Sequence, residues 1–181
     1  TTGQLVWHIF KVQLTKVYEK NCFPIIWSAA VTSNGTFSFR TEKRNHAKWF
    51  IYNQGLSFLL TKTQCVLLQR TTAKEQNKRL IAAVLPKSVI ADNQAVIVEN
   101  HLNMIVPTMT KPHVSFEALS AFLNSKAAND AFRTISGSVA VSAYELEALP
   151  LPNSSDLQPL EKLVSEKASQ EYIEYECMKL Y

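Results

Sequence analysis

Arg70 closes an apolar run, and hydroxyls, a lysine and an amide follow at once in Gln69-Arg70-Thr71-Thr72-Ala73-Lys74-Glu75-Gln76. Such residues, presented from the end of a strand, suit the reading of a double helix. Arginine reaches guanine with two hydrogen bonds, glutamine pairs with adenine, and hydroxyls or lysines hold phosphate. Arg70, Thr71, Thr72, Lys74, Gln76 and Arg79 are therefore candidate DNA contacts. The spacing also allows a plainer use, with Thr72 and Glu75 capping a helix and Arg70 pairing with a carboxylate. Lys43, Arg44, His46 and Lys48 form a second cationic stretch, which either tracks a phosphate backbone or is solvated surface. Asn100, His101 and Asn103 interrupt apolar sequence. They either satisfy backbone groups at a turn or bulge, the favoured use, or project a reading surface. Ser136-Gly137-Ser138 offers N–H and hydroxyl groups to a phosphate, or ends a helix at its glycine; again the structural use leads. Trp7, Trp27 and Trp49 read as core in preference to base-stacking platforms.

Other chemistry is missing. The glycines (3, 35, 55 and 137) are scattered, whereas a phosphate-cradling loop or a nucleotide-binding turn needs them clustered. That also excludes a complete S-adenosylmethionine pocket of the usual build. There is no Gly-x-Ser-x-Gly elbow and no His-Glu-x-x-His, and His8, His46, His101 and His113 show no ligand spacing. Acid–base work needs two carboxylates in one cleft, and the acids gather towards the C-terminus. An independent enzyme is the weaker reading.

Charge is unevenly spread. From Arg40 to Lys87 ten Lys or Arg face two acids, whereas from Val141 to Tyr181 three lysines face eight acids. A polyanion is drawn to the middle of the chain and repelled by its end, unless these charges are mere solvated surface. Cys22, Cys65 and Cys177 are odd in number and far apart, so neither a disulfide framework nor a zinc site follows. A reducing cytoplasm is expected, with Cys65 as a small core residue. No apolar run reaches the ~20 residues that span a bilayer. The start, Thr1-Thr2-Gly3-Gln4, has no initiator methionine and no signal-peptide layout, which reads as excision from a longer polypeptide.

The elements that must carry these residues read as α+β: mainly antiparallel strands, several short helices and a C-terminal helix. Residues 24–31 and 36–40 around Asn34-Gly35 predict a hairpin. Strands are expected at 49–53, 64–69, 95–98 and 102–106. Residues 72–85 are ambiguous, best read as a polar loop or short helical turn feeding a strand that ends at Pro86. Ser115 caps a helix to about Leu123, and residues 127–134 form a second. Residues 138–142 alternate as a strand, 149–152 are extended by their prolines, and Asp156 caps a last helix to about Lys179.

Four segments resemble a known family: Gly3-Gln4-Leu5-Val6-Trp7, the Gln69–Gln76 stretch, Val98-Glu99-Asn100-His101-Leu102-Asn103, and residues 132–146, Phe-Arg-Thr-Ile-Ser-Gly-Ser-Val-Ala-Val-Ser-Ala-Tyr-Glu-Leu. They look like the C-terminal region of adenine-specific, N6-methylating DNA methyltransferases of the Eco57I-like kind, from restriction–modification systems. The last segment, trailed by Leu149-Pro150-Leu151-Pro152, is also similar to the end of target-recognition domains in type I specificity subunits. The resemblance implies a target-recognition domain over residues 1–153 that docks on double-stranded DNA, followed by a packing or interaction helix at 154–181. It implies that S-adenosylmethionine and the Asn/Asp-Pro-Pro-Tyr/Phe motif belong to a catalytic domain of the same parent; no cofactor is expected within this stretch. A protein-interaction module is the alternative, with the acidic helix at 156–181 joining a second copy or another subunit.

Overall fold

The computed structural model describes residues 1–39, 46–72, 78–138 and 140–181. Strand β5 (Val66–Gln69) explains the architecture, because its successive residues are buried on both faces. Val66 and Leu68 join Leu80, Ala82, Phe122, Phe132 and Leu160 beneath the helices. Leu67 points the opposite way, among Ile26, Val31, Leu85, Val98 and Leu102. β2 (Cys22–Ile26) and β7 (Val96–Val98) repeat this alternation one layer on. Ile26, Val96 and Val98 face inward, while Ile25 and Ile97 meet Leu5, Trp27, Phe50 and Leu59 on the far side. An unbroken apolar run is what a strand sandwiched between two layers requires.

The described residues thus form an α+β fold with two sheets. One has three antiparallel strands in the order β6 (Ala82–Val84), β5, β8 (Leu102–Ile105). The other has five, ordered β1 (Leu14–Thr15), β3 (Trp49–Ile51), β2, β7, β4 (Leu60–Thr61). Among the pairings of these strands β2–β7 is parallel and the others antiparallel. Short helix α1 (Lys87–Asn93) follows Pro86 and leads into β7. The remaining helices, α2 (Phe116–Asn124), α3 (Lys126–Ile135), α4 (Ala143–Glu147), α5 (Gln158–Ser165) and α6 (Gln170–Met178), come late in the chain, and α2 packs on β5 and β6.

β6 is an edge strand, and edges left bare are costly. Two amides close it. Ala82 N–H donates to Asn124 Oδ1 at 3.0 Å, and Asn124 Nδ2 returns a bond to Ala82 O at 2.7 Å. Asn129 Oδ1 accepts from the N–H groups of Arg79 and Leu80 at 2.6 and 2.8 Å, while its Nδ2 donates to Leu123 O and Ser125 O. Both side chains act as a missing neighbour strand. Between the helices that supply them, Ser125 caps α3 by accepting from Ala128 N–H at 3.2 Å.

Three expectations needed correction. The hairpin is reduced to a single bridge, Val31 to Phe37, although the Asn34-Gly35 turn exists with Gly35 at φ +77°. Residues 28–30 instead wind into a 3-10 turn that buries Ala30, while Trp27 sends its indole N–H to Ala47 O. Residue 40, its predicted end, lies outside the described residues. The strand expected at 138–142, of which residue 139 lies outside the described residues, is among those described one bridge, Thr71 to Ala140; Ser142 caps α4 and ends the extended backbone. The single terminal helix is two. Lys167 takes φ +55°, and Ala168 N–H bonds Leu163 O, so α6 folds back on α5. A straight helix of that length, ~1.5 Å per residue, would carry its end into water. Folded back, α5 and α6 place Leu157, Leu160 and Cys177 in the core shared with α2 and α3. Tyr172, Tyr175 and Met178 stay exposed.

Burial pushes the Cys65 thiol up to about 12 and that of Cys177 to about 11, the condition of packing thiols and not of reactive ones.

Candidate nucleic-acid interface

β7 and β8 belong to different sheets yet are joined by only three residues, 99–101. Leu102 N–H closes the turn on Glu99 O at 3.1 Å. The N-terminal segment lies against it. Gly3 N–H donates to Leu102 O at 2.8 Å, Leu5 N–H to Val98 O at 3.1 Å, and Asn100 N–H to Leu5 O at 3.1 Å. Gly3 is required there, since a Cβ would sit 2.3 Å from Glu99 O and 2.8 Å from Val98 O. From the end of β5, Arg70 N–H donates to His101 O at 2.9 Å and the guanidinium Nη1 to Asn100 O at 3.2 Å. From the α3–α4 connection, Val141 N–H donates to Arg70 O at 2.7 Å, and Asn103 Nδ2 donates to Val141 O at 2.6 Å. All four segments that carry the family resemblance are thereby stitched around one turn.

The turn has a buried acidic side chain at its centre. Glu99 is buried, and both carboxylate oxygens serve His101: Oε2 accepts its backbone N–H at 3.0 Å, and Oε1 meets ring Nδ1. The His101 side chain is 53% exposed despite this anchor. Beside it opens a polar cavity of about 300 Å³ lined by Ser28, Ala29, Gln69, Thr71 and His101. Asn100 Oδ1 is buried in the same turn without a hydrogen-bond partner.

The sequence candidates divide sharply. Thr71, His101 and Ser138 are exposed, while Arg70, Asn100 and Ser136 are half-buried. Thr72, Arg79 and Asn103 are buried and structurally engaged. The Thr72 hydroxyl donates to Arg79 O at 3.0 Å, which pins together the residues that bracket 73–77. Arg79 Nη2 donates to Ser138 O at 2.7 Å. Asn103 Oδ1 accepts from the Thr2 hydroxyl at 3.2 Å. In this arrangement these three have no side-chain surface to offer a groove. Lys43, Arg44, Lys74 and Gln76 lie outside the described residues, as does Glu75 of the expected capping box. Lys48 is exposed just before β3, its ammonium 5.2 Å from the centre of the Trp49 ring, and does not join the turn's hydrogen bonds. Of the tryptophans, Trp27 is core, Trp49 is half-buried and Trp7 is exposed.

Two features went unread in the sequence. Ser142 and Glu145 form a capping box on α4, a signal plainly present as Ser-x-x-Glu. Partial desolvation pushes the Glu145 carboxyl up, but bonds from Ser142 N–H, its hydroxyl and the Ser136 hydroxyl, with Arg79 nearby, hold it below the usual value. The Ser136 hydroxyl, 2.8 Å from Glu145 Oε1, is therefore committed within the fold. The other is Glu99, for which a carboxylate two residues before a histidine was the available sign.

The chain is 26% identical over 162 residues to the type II methyltransferase M.PstI of Providencia stuartii, an alignment covering 88% of this chain and 32% of that protein. The chain therefore spans about a third of the length of the curated relative it matches. No family model and no solved structure matches it. Among the described residues no cluster of three or more His, Cys, Asp or Glu could hold a metal ion, and no helix is long and apolar enough to cross a membrane.

Proposed function

We propose that this chain is the DNA target-recognition part of a cytoplasmic, S-adenosylmethionine-dependent DNA adenine-N6 methyltransferase of a restriction–modification system. Cofactor and methyl transfer reside elsewhere in the parent, where the target adenine is drawn out of the stack. The observation that carries this reading is the convergence of the four resembling segments on the 99–101 turn. The similarity to a type II methyltransferase supports it.

In this reading Arg70, Thr71, Asn100, His101 and Ser138 supply the described part of the contact surface. Lys43, Arg44, Lys74 and Gln76 add charge and hydrogen-bonding capacity from 40–45 and 73–77. Lys48 tracks the backbone from a separate position just before β3. Phosphate contacts set the register, and base-edge contacts choose the sequence. Thr72, Arg79, Asn103 and Ser136 hold the frame.

Binding of a short duplex is expected to weaken steeply with salt, because each neutralised phosphate releases counterions. About four such contacts would reduce affinity on the order of 100-fold between roughly 50 and 200 mM salt. Fluorescence anisotropy across that range measures it. Absence of duplex binding even at the lowest salt would refute the reading.

A further inference from the structure

The cavity beside the turn is furnished with hydrogen-bond acceptors. Gln69 Nε2 is committed to Val31 O at 2.6 Å, which fixes the amide's orientation and leaves Oε1 as its acceptor end. The buried Glu99 carboxylate receives His101 Nδ1, so in the neutral imidazole the proton resides on Nδ1 and Nε2 carries a bare lone pair. That ring is half exposed at the cavity wall. Ser28 and Thr71, whose hydroxyls act either way, complete the polar lining.

Phosphate is an acceptor and would find no matching donor in Nε2 of the neutral His101 imidazole. Its natural partner here is Arg70, whose guanidinium is held at the turn by Asn100 O. A group that donates hydrogen bonds fits the cavity. On a duplex, the major-groove donors are the exocyclic amines, N4 of cytosine and N6 of adenine.

We infer that the Glu99–His101 pair makes His101 a specificity-determining residue, whose Nε2 accepts a hydrogen bond from a base amino group in the major groove at the cavity that Gln69 also lines. Glu99 is the positioning residue: it fixes both the tautomer and the direction of the ring, as the carboxylate partner of a functional histidine does elsewhere. This rests on the DNA-recognition reading and names the chemical group recognised at one position.

The test has two parts. In ¹⁵N spectra of the wild-type chain with its imidazoles neutral, His101 Nδ1 should carry the proton and Nε2 should show the shift of an unprotonated nitrogen. In Glu99→Gln that preference should weaken. A wild-type ring protonated at Nε2, or averaged between the two forms, overturns the inference without reference to DNA.

The second part selects binders from a randomised duplex pool. His101→Ala, at an exposed position, should relax one position of the enriched site to near indifference while salt-dependent binding persists. Replacing the base there by an analogue lacking its exocyclic amine should weaken wild-type binding about tenfold and leave His101→Ala nearly unchanged. An enriched site that His101→Ala leaves intact overturns the inference and spares the recognition reading. A pool from which nothing is enriched or retained, even at low salt, overturns both.

Discussion

Asn129→Ala is expected to lower the free energy of unfolding by about 3–4 kcal/mol, measured by urea denaturation at unchanged m-value. The side chain is buried and forms bonds of 3.2 Å or less with four backbone groups: the N–H of Arg79 and of Leu80, and the carbonyls of Leu123 and Ser125. Its removal strands two N–H donors in the segment that leads into β6, where both residues are buried away from water. Each stranded group costs about 1–3 kcal/mol, far more than the hydrogen bond was worth in net terms. Asn129→Asp should be no better, since a carboxylate accepts from the two N–H groups but cannot donate to the carbonyls and brings a buried charge. Asn124→Ala should cost less, because that position is only half-buried and water can replace the amide. Equal losses at Asn124 and Asn129 would show that burial does not set the penalty.

Gly3→Ala should cost about 2–3 kcal/mol, with loss concentrated at the N-terminal segment. The new methyl would meet Glu99 O at 2.3 Å, inside any real contact distance, and Val98 O at 2.8 Å. Neither carbonyl can step aside easily, since Glu99 O closes the turn on Leu102 N–H and Val98 O holds Leu5 N–H. The strain is relieved only by lifting residues 2–5 off the turn. Amide exchange should therefore quicken at Gly3, Leu5 and Asn100 well before it does in β5. An unchanged exchange pattern would mean that this docking is not under the stated strain.

Much of the architecture was readable because it follows from local pattern. β5 and β7 are built on apolar runs flanked by polar residues, β8 is apolar apart from Asn103, and Ser115 accepts from Ala118 N–H as an N-cap should. What escaped was decided by tertiary contacts. The break between α5 and α6 has no glycine to mark it; Lys167 takes a left-handed backbone because the fold rewards returning Cys177 to the core. The hairpin failed although its turn residues were right, since burying Trp27, Ala30 and Val31 outweighed extending the strands. α1 and α4 were too short to show periodicity, though Ser142 and Glu145 gave their signal.

The candidate site was legible in composition and illegible in role. Charge and hydroxyl content drew attention to Arg70, Thr72 and Arg79 alike. Only packing separates Arg70, at the surface of the turn, from Thr72 and Arg79, which are spent holding the bracket around 73–77. Glu99 shows the converse. It is a single acid in an apolar context, and its value comes from being buried beside the ring it holds. The edge-closing amides Asn124 and Asn129 have no sequence signature, because their partners lie 42 to 50 residues away in β6 and the segment before it.

The most direct measurement is a titration of the ¹⁵N-labelled chain with duplex DNA at low salt, following every backbone amide. Shifts should concentrate at residues 69–71, 99–101 and 138, and in 40–45 and 73–77, with α5 and α6 unmoved. Perturbations confined to the acidic α5–α6 surface, or none at all with excess duplex, would contradict recognition by the turn.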